Sequence, residues 1–292
     1  MVEEIILESK ELQSQHRSLV FWPKERSRVA QPVLYLFRGK PQEWFAKPQE
    51  RQGRNIETVV EHLYELGYLK PFVIVCPETT ISVNEQEYFT CAFDLSQPLA
   101  ETNSGKYCRF FTEEYFPLIE SKLFGAFATK RAVGGFSLGS LAAATIAFHR
   151  YDLFSALSSY DGAFLFWNYD HPHGCGPDEN DLRLDWFPYW FGETPELQAF
   201  LRQNPYSLLQ NAAGKRLHGL RRMKFFMHSS AERHVTANAW REERMARGLR
   251  ESGCSLGFDS VLLSPEAKHD WYWVDEHLYR LLPPLSTILW HR

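Results

Sequence analysis

The pentapeptide Gly135-Phe136-Ser137-Leu138-Gly139 constrains this chain more than any other segment. It follows Arg131-Ala-Val133, a short run that suits a strand. It precedes Leu138 to His149, whose small residues Ser140, Ala142, Ala143 and Ala144 suit a helix packed closely on a sheet. A strand that passes into a helix through so tight a turn leaves no room for side chains two residues to either side of the serine, and the glycines meet that steric demand. The turn lifts the serine hydroxyl clear of the sheet and puts it at a helix N-terminus, where unpaired N–H groups favour negative charge. The pattern therefore predicts Ser137 as a nucleophile and the Leu138 N–H as one oxyanion donor.

The rest of the chain supplies the sheet such a turn needs. Ile5 to Glu8 and Arg17 to Trp22, closed by Pro23, read as an antiparallel lead-in. Pro32-Val-Leu-Tyr-Leu-Phe37, stopped by Arg38-Gly39, is apolar throughout and suits a strand buried on both faces. Ile56, Val59, Val60, Leu63 and Leu66 repeat at helical spacing and end at Gly67. Phe72 to Cys76 is the next strand, followed by a loop to about Gly105 and a helix from Phe110 to Phe124 that carries Pro117. After the pentapeptide come strands at Ser155 to Tyr160 and Met223 to Met227, a helix near Thr236 to Ser252, a strand at Asp259 to Leu263 and a terminal helix from Trp271. Repeated alternation predicts an α/β fold, a mainly parallel sheet flanked by helices on both faces with antiparallel N-terminal strands. One domain spanning 1–292 is expected. An aromatic-rich insertion, about 162–222, breaks the rhythm and is expected to cover the C-terminal edge of the sheet.

Composition narrows the function classes. A chain of 292 residues with 44% hydrophobic content supports a sizeable core, and a formal net charge of −4 lacks the basic excess that nucleic acid or an anionic membrane requires. The five cysteines are scattered with no C-x-x-C pair, and the start carries Glu3 and Glu4 without a long apolar run. These features predict a cytoplasmic protein without membrane insertion. No dinucleotide fingerprint, Walker motif or HExxH occurs, so no cofactor and no metal are expected. His171-Pro-His173-Gly-Cys175, with Asp170 and Asp178, offers metal-ligand types but reads as a polar loop. Trp186-Phe-Pro-Tyr-Trp-Phe191 suits either a lid or simple packing. None of this sets an oligomeric state.

A serine is a poor nucleophile until an imidazole takes its proton. Of eleven histidines, His269 lies between the last expected strand and the final helix, above the same sheet edge as Ser137. His228 and His234 are competitors near the preceding strand end, whereas His277 and His291 read as solvated. The orienting acid belongs just after Met223 to Met227, where Glu232 is the carboxylate before the next helix; Asp161 is the reserve, and Asp270 is too near His269 in sequence. The second oxyanion donor belongs to the loop after Phe37, where Gly39 permits close approach and the Lys40 N–H faces the site.

These residues resemble the putative esterase family, which includes esterase D, enterochelin esterases, feruloyl and acetylxylan esterases and mycolyltransferases. The likeness runs almost end to end. It includes Ser9 and Leu12 before the strand closed by Pro23, Pro32 to Gly39, Phe111 with Glu113-Glu-Tyr-Phe-Pro-Leu-Ile-Glu120, Arg131 to Gly139, Asn204-Pro205 and His269-Asp-Trp-Tyr-Trp273. The serine turn and the histidine block are its specific parts. The resemblance implies an α/β-hydrolase fold, a Ser137, Glu232 and His269 triad, and backbone donors at Lys40 and Leu138. Three positions depart from the family pattern. Arg38 stands where His or Asp is usual, Glu232 where Asp is commoner, and Ser140 where a second glycine is frequent. Arg38 beside the oxyanion loop would either attract an anionic substrate or sit in a surface salt bridge. Arg38, Gly39 and Trp271 are the candidates for substrate contact. The expected activity is hydrolysis of a small-molecule ester through an acyl-enzyme. An acyltransferase with the same triad and a noncatalytic binding protein on the same fold are the rivals.

Overall fold

The computed structural model describes residues 1–23, 29–83, 85–98, 103–166, 187–192, 197–234 and 237–291. Its strands are β1 (Val2–Ser9), β2 (Ser14–Phe21), β3 (Val33–Phe37), β4 (Val73–Pro77), β5 (Thr80–Val83), β6 (Gln86–Phe89), β7 (Arg131–Phe136), β8 (Ala156–Tyr160), β9 (Lys224–His228) and β10 (Ser255–Leu256). Eight of them form one sheet in the order β1-β2-β4-β3-β7-β8-β9-β10. From β4 across to β10 neighbours run parallel, while β1 with β2 and β2 with β4 are antiparallel. That is the α/β-hydrolase arrangement the alternation predicts.

The helices are α1 (Ile56–Glu65), α2 (Tyr107–Arg109), α3 (Phe116–Phe124), α4 (Leu138–His149), α5 (Phe187–Phe191), α6 (Leu197–Gln203), α7 (Pro205–Gln210), α8 (Gly214–Arg222), α9 (Ala239–Glu251) and α10 (Trp271–Trp290), with a π-turn at Phe110–Tyr115 joining α2 to α3. Alternate residues of a strand face opposite sides. In β3, Val33, Tyr35 and Phe37 pack with α4 in one core, and Leu34 and Leu36 pack with α1 and α10 in the other. Both faces are covered, which is why these strands read as unbroken apolar runs. The Arg51–Asp275 pair, 2.5 Å apart and wholly buried, ties the loop after β3 to α10; Arg51 also donates to the carbonyls of Glu43, Trp44 and Ala46.

Two sequence expectations need correction. The stretch before Gly105 is not all loop, because β5 and β6 pair as a separate hairpin. Their residues are half-buried or exposed, so they carry no apolar alternation to read. Residues 259–263 do not form the last strand; β10 does. They lie past the end of β9, where Leu262 forms one isolated bridge with Ser229. Residues 170–178, including the His171 to Cys175 loop, lie outside the described residues, as does much of the 162–222 segment.

Candidate active site

β7 ends at Phe136 and α4 begins at Leu138, so Ser137 alone makes the turn, with φ 57° and ψ −121°. A left-handed φ on a residue with a β-carbon costs about 1–3 kcal/mol and persists only where the surroundings impose it. Here they do. A Cβ at Gly139 would lie 1.9 Å from the Phe37 carbonyl oxygen, and one at Gly135 2.3 Å from the Gly139 carbonyl. The Ser137 N–H donates to the Tyr160 carbonyl at 3.1 Å, and the Ser140 hydroxyl donates to the Gly135 carbonyl at 2.7 Å. Ser140 thus strengthens the turn it was expected only to fit. At the start of α4 the Leu138 N–H has no carbonyl four residues back within the helix, which leaves it available to an anion.

β8 ends beside β7, with Gly135 opposite Ser159 and Phe136 opposite Tyr160. Asp161 follows with φ 47°, and its N–H donates to the His228 carbonyl at 2.8 Å. Its carboxylate is fully buried. Oδ1 accepts from the Ser230 N–H at 3.0 Å, and Oδ2 lies 2.5 Å from His269 Nδ1. Glu232, the acid expected at the ring, instead accepts from the His269 backbone N–H at 2.8 Å. The correction has a geometric reason. Glu232 stands four residues past β9 on a stretch that runs beside the histidine loop, where the Ala231 N–H donates to the Ala267 carbonyl at 2.7 Å. It therefore meets backbone, while Asp161, at the tip of a more central strand, reaches the ring.

Holding Nδ1 against a carboxylate leaves Nε2 as the basic nitrogen of a neutral imidazole. The His269 side chain is one-third exposed, and its ring packs on Phe136 with centroids 4.7 Å apart. Among the described residues the hydrogen bond to Ser137 Oγ comes from Asn238 Nδ2 at 3.4 Å, and none joins Ser137 to His269. Such contacts are commonly long before substrate arrives. Asn238, the N-cap of α9, was not singled out in the sequence, where its position at a helix start is legible but its reach to Ser137 is not. Glu232, His234, Ala237, Asn238, Lys268 and His269 line a cavity of about 380 Å³.

The expected second oxyanion donor is occupied. The Lys40 N–H donates to Glu43 Oε1 at 3.0 Å, in a capping box that opens a short helical turn. Glu43 Oε2 lies 3.3 Å from Arg38 Nε, so one carboxylate holds both residues. The Arg38 guanidinium sits over the rings of Phe136 and Phe89, at 5.0 and 5.8 Å. Burial pulls its pKa down while Glu43 opposes. The cation expected to meet an anionic substrate is thus already paired. The Gly39 carbonyl accepts from the Thr79 N–H at 2.9 Å. Trp271 packs on Trp44 and Phe136, with centroids 5.1 and 5.3 Å away, as part of a wall.

Beneath the acid lies Glu242 of α9, fully buried. Its Oε2 accepts from the Ser159 hydroxyl at 2.7 Å and from the Gly162 N–H, bracketing Asp161. Burial pushes its pKa up to about 8, with the Asp161 charge adding to the rise and the two hydrogen bonds opposing it. The other candidate histidines make no hydrogen bond to Ser137 among the described residues. His234 is exposed, and Asp270 caps α10 by accepting from the Trp273 N–H at 3.1 Å. His277, expected to be solvated, is buried with His228, their Nδ1 atoms 2.9 Å apart. Its helix buries the Asp275 and Leu278 side as well, so position 277 faces the sheet. Among the described residues no group of three or more metal-ligating side chains converges, and no helix is long and apolar enough to cross a membrane.

This is the fold of the α/β-hydrolases, with a strained serine, an imidazole and a buried carboxylate gathered at one end of the sheet. The likeness to solved structures is extensive. A ferulic acid esterase superposes with a TM-score of 0.72 at 22% identity, covering 99% of this chain and 98% of that one. An S-formylglutathione hydrolase from Agrobacterium tumefaciens gives 0.71 at 16% identity, with 99% and 95% covered. FphF, a fluorophosphonate-binding serine hydrolase of Staphylococcus aureus, gives 0.65 at 12% identity, with 98% of each chain covered. No curated protein sequence matches. The family model described as "Putative esterase" matches residues 9–218, and the chain belongs to that family, hence to the carboxylic ester hydrolases.

Proposed function

We propose that this chain hydrolyses a small-molecule carboxylic ester through an acyl-enzyme, with Ser137 as nucleophile, His269 as base and Asp161 as the orienting acid. Ser137 Oγ adds to the ester carbonyl as His269 Nε2 takes its proton. The carbon–oxygen bond to the alcohol then breaks, and the imidazolium returns the proton to the departing alkoxide. Water, deprotonated by the same nitrogen, attacks the acyl-enzyme and restores the serine. Asp161 keeps the proton on Nδ1 and stabilises the imidazolium. The observation that carries this reading is the 2.5 Å contact of His269 Nδ1 with Asp161, beside the strained Ser137 turn.

The Leu138 N–H and the Asn238 amide would receive the oxyanion. Lys40 would join them when Glu43 releases its N–H. Trp190 is proposed to wall the acyl side, since its Nε1 donates to the Phe89 carbonyl at 2.8 Å and Phe89 packs over Arg38. A fluorophosphonate probe is expected to label the wild type and not Ser137→Ala, with hydrolysis of p-nitrophenyl acetate lost in the same variant. Label retained on Ser137→Ala, or absent from the wild type, would overturn the assignment.

A further inference from the structure

Residues 197–231 contain six cations, Arg202, Lys215, Arg216, Arg221, Arg222 and Lys224, and no carboxylate, in a chain whose net charge is −4. Five of these lie on α8 and at the first residue of β9. None of the five forms an ion pair with a carboxylate among the described residues. A stretch so segregated costs self-repulsion that solvent alone has to screen.

Three of the six, Lys215, Arg222 and Lys224, gather around one cavity. Lys215, His218 and Arg222, spaced along one side of α8, converge with Lys130 and Lys224 on a cavity of about 800 Å³. Lys130 Nζ donates to the carbonyls of Ile288 and His291, and Lys224 Nζ donates to Ser255 Oγ at 2.7 Å. These bonds fix the ammonium groups without neutralising them. Asp152, the carboxylate of the lining, is already held by Arg150 through two contacts of 2.9 Å. Tyr151, Leu153 and Ile288 add an apolar wall. Arg216 Nε and His149 Nε2, on the helices flanking this region, are buried without a hydrogen-bond partner among the described residues.

We propose that this cavity binds an organic phosphate with two or more phosphoryl groups, gripped by Arg222, Lys215, Lys130 and Lys224 while its organic part covers the Tyr151 wall. Arginine presents a fork that matches phosphate oxygens, and lysines add point charges. The volume falls within the roughly 300–1,000 Å³ of small-molecule sites, which favours a compact ligand over a membrane or a nucleic acid duplex. Lys130 and Lys224 stand at the N-terminal ends of β7 and β9, whereas Ser137 follows the C-terminal end of β7. At about 3.3 Å per strand residue the two sites are roughly 20 Å apart. The ligand would therefore bind without displacing the ester.

Titration calorimetry of the full chain with adenosine triphosphate, inorganic tripolyphosphate and orthophosphate tests this. Saturable binding is expected, strongest for the nucleotide, weakest for orthophosphate and falling with salt. Lys215→Ala with Arg222→Ala should weaken it about tenfold or more, as expected for loss of charge-assisted hydrogen bonds. Both side chains are exposed, so circular dichroism and p-nitrophenyl acetate hydrolysis should stay unchanged; Arg222→Gln alone serves if the double variant misfolds. Three results would overturn the proposal: no saturable binding of any probe, affinity undiminished in both variants, or association with vesicles of anionic lipid but with none of the soluble phosphates.

Discussion

Strand β8 carries two adjacent serines that root two different polar networks, one on each face of the sheet. Ser158 Oγ lies 2.8 Å from His277 Nε2, and His277 Nδ1 lies 2.9 Å from His228 Nδ1. Ser159 donates to Glu242, beside Asp161, whose carboxylate holds His269. The first network has the better-formed serine–histidine hydrogen bond, yet nothing suggests it as a catalyst. His277 is 3% exposed, its partner is a second neutral imidazole, and Ser158 sits in regular strand conformation. At the rim, the imidazole is a third exposed and faces an anion, and Ser137 is held in a left-handed turn. A serine beside a histidine is therefore not enough. What separates the two sites is a carboxylate to stabilise the imidazolium, access from outside, and a backbone that lifts the hydroxyl out of the sheet.

The largest effect should come from removing that carboxylate's charge. Asp161→Asn should lower kcat by about 10⁴-fold, the scale of a lost triad aspartate, because the amide favours the wrong imidazole tautomer. Glu232→Gln should cost about tenfold or less, since an amide oxygen still accepts from the His269 N–H. Steady-state kinetics on one p-nitrophenyl ester compares them directly. If Glu232→Gln proves the more damaging, the ring contact is not the one that matters and the comparison between the two networks fails.

A second test concerns the sealed network, and its readout is stability. Between the two Nδ1 atoms there is room for one proton, so one ring donates and the other accepts, and protonating the accepting ring sets two N–H groups against each other. Burial, with Arg280 nearby, lowers the His228 pKa to about 3, and burial, His228 and Arg280 hold His277 well below its ordinary value. The unfolded chain takes up these protons near pH 6.5, so stability should fall as pH drops below that value. His277→Gln should lower the melting temperature at neutral pH by leaving its partners short of a hydrogen bond, a cost of about 1–3 kcal/mol. It should also flatten the acid loss between pH 6.5 and 4. An unchanged acid slope in thermal melts would show that these histidines titrate normally.

Much of this was legible in the chain. The apolar runs of β3, β4 and β7 and the glycine-flanked serine dictate a parallel sheet with a strand–turn–helix, because both features are local. The choice between Asp161 and Glu232 was not. Each follows a strand end, and which of them reaches the ring depends on how far the neighbouring strand projects and on a left-handed backbone at Asp161, neither of which leaves a mark in spacing. The state of the Lys40 N–H also turns on a local detail, because Glu43, three residues on, accepts from it in a capping box that loop position alone does not reveal. His277 reads as solvated from its polar neighbourhood, yet Asp275, two residues earlier, is itself buried against Arg51, a pairing across 224 residues that local sequence does not show.

The smallest effect, and the one that sharpens the comparison most, belongs to Glu242. Its Oε2 accepts from the Ser159 hydroxyl and the Gly162 N–H, while Oε1 is buried without a hydrogen-bond partner among the described residues. A bare charge there costs more than a protonated carboxyl, and the Asp161 anion across the turn adds to the cost. With its pKa pushed up to about 8, Glu242 stays protonated at neutral pH while the unfolded chain has already released that proton. The folded state then binds more protons than the unfolded one between about pH 4.5 and 8, so this group makes stability fall as pH rises through that window. Glu242→Gln keeps an oxygen to accept both hydrogen bonds and removes the titration. It should leave kcat within a few-fold of wild type at pH 7, while its melting temperature declines less than the wild type's between pH 6 and 9. Glu242→Leu, which keeps the volume and loses the acceptor, should lower kcat through a displaced Asp161 at every pH. If the Gln and Leu variants behave alike, the carboxyl supports the Asp161 turn by filling space rather than by accepting its hydrogen bonds.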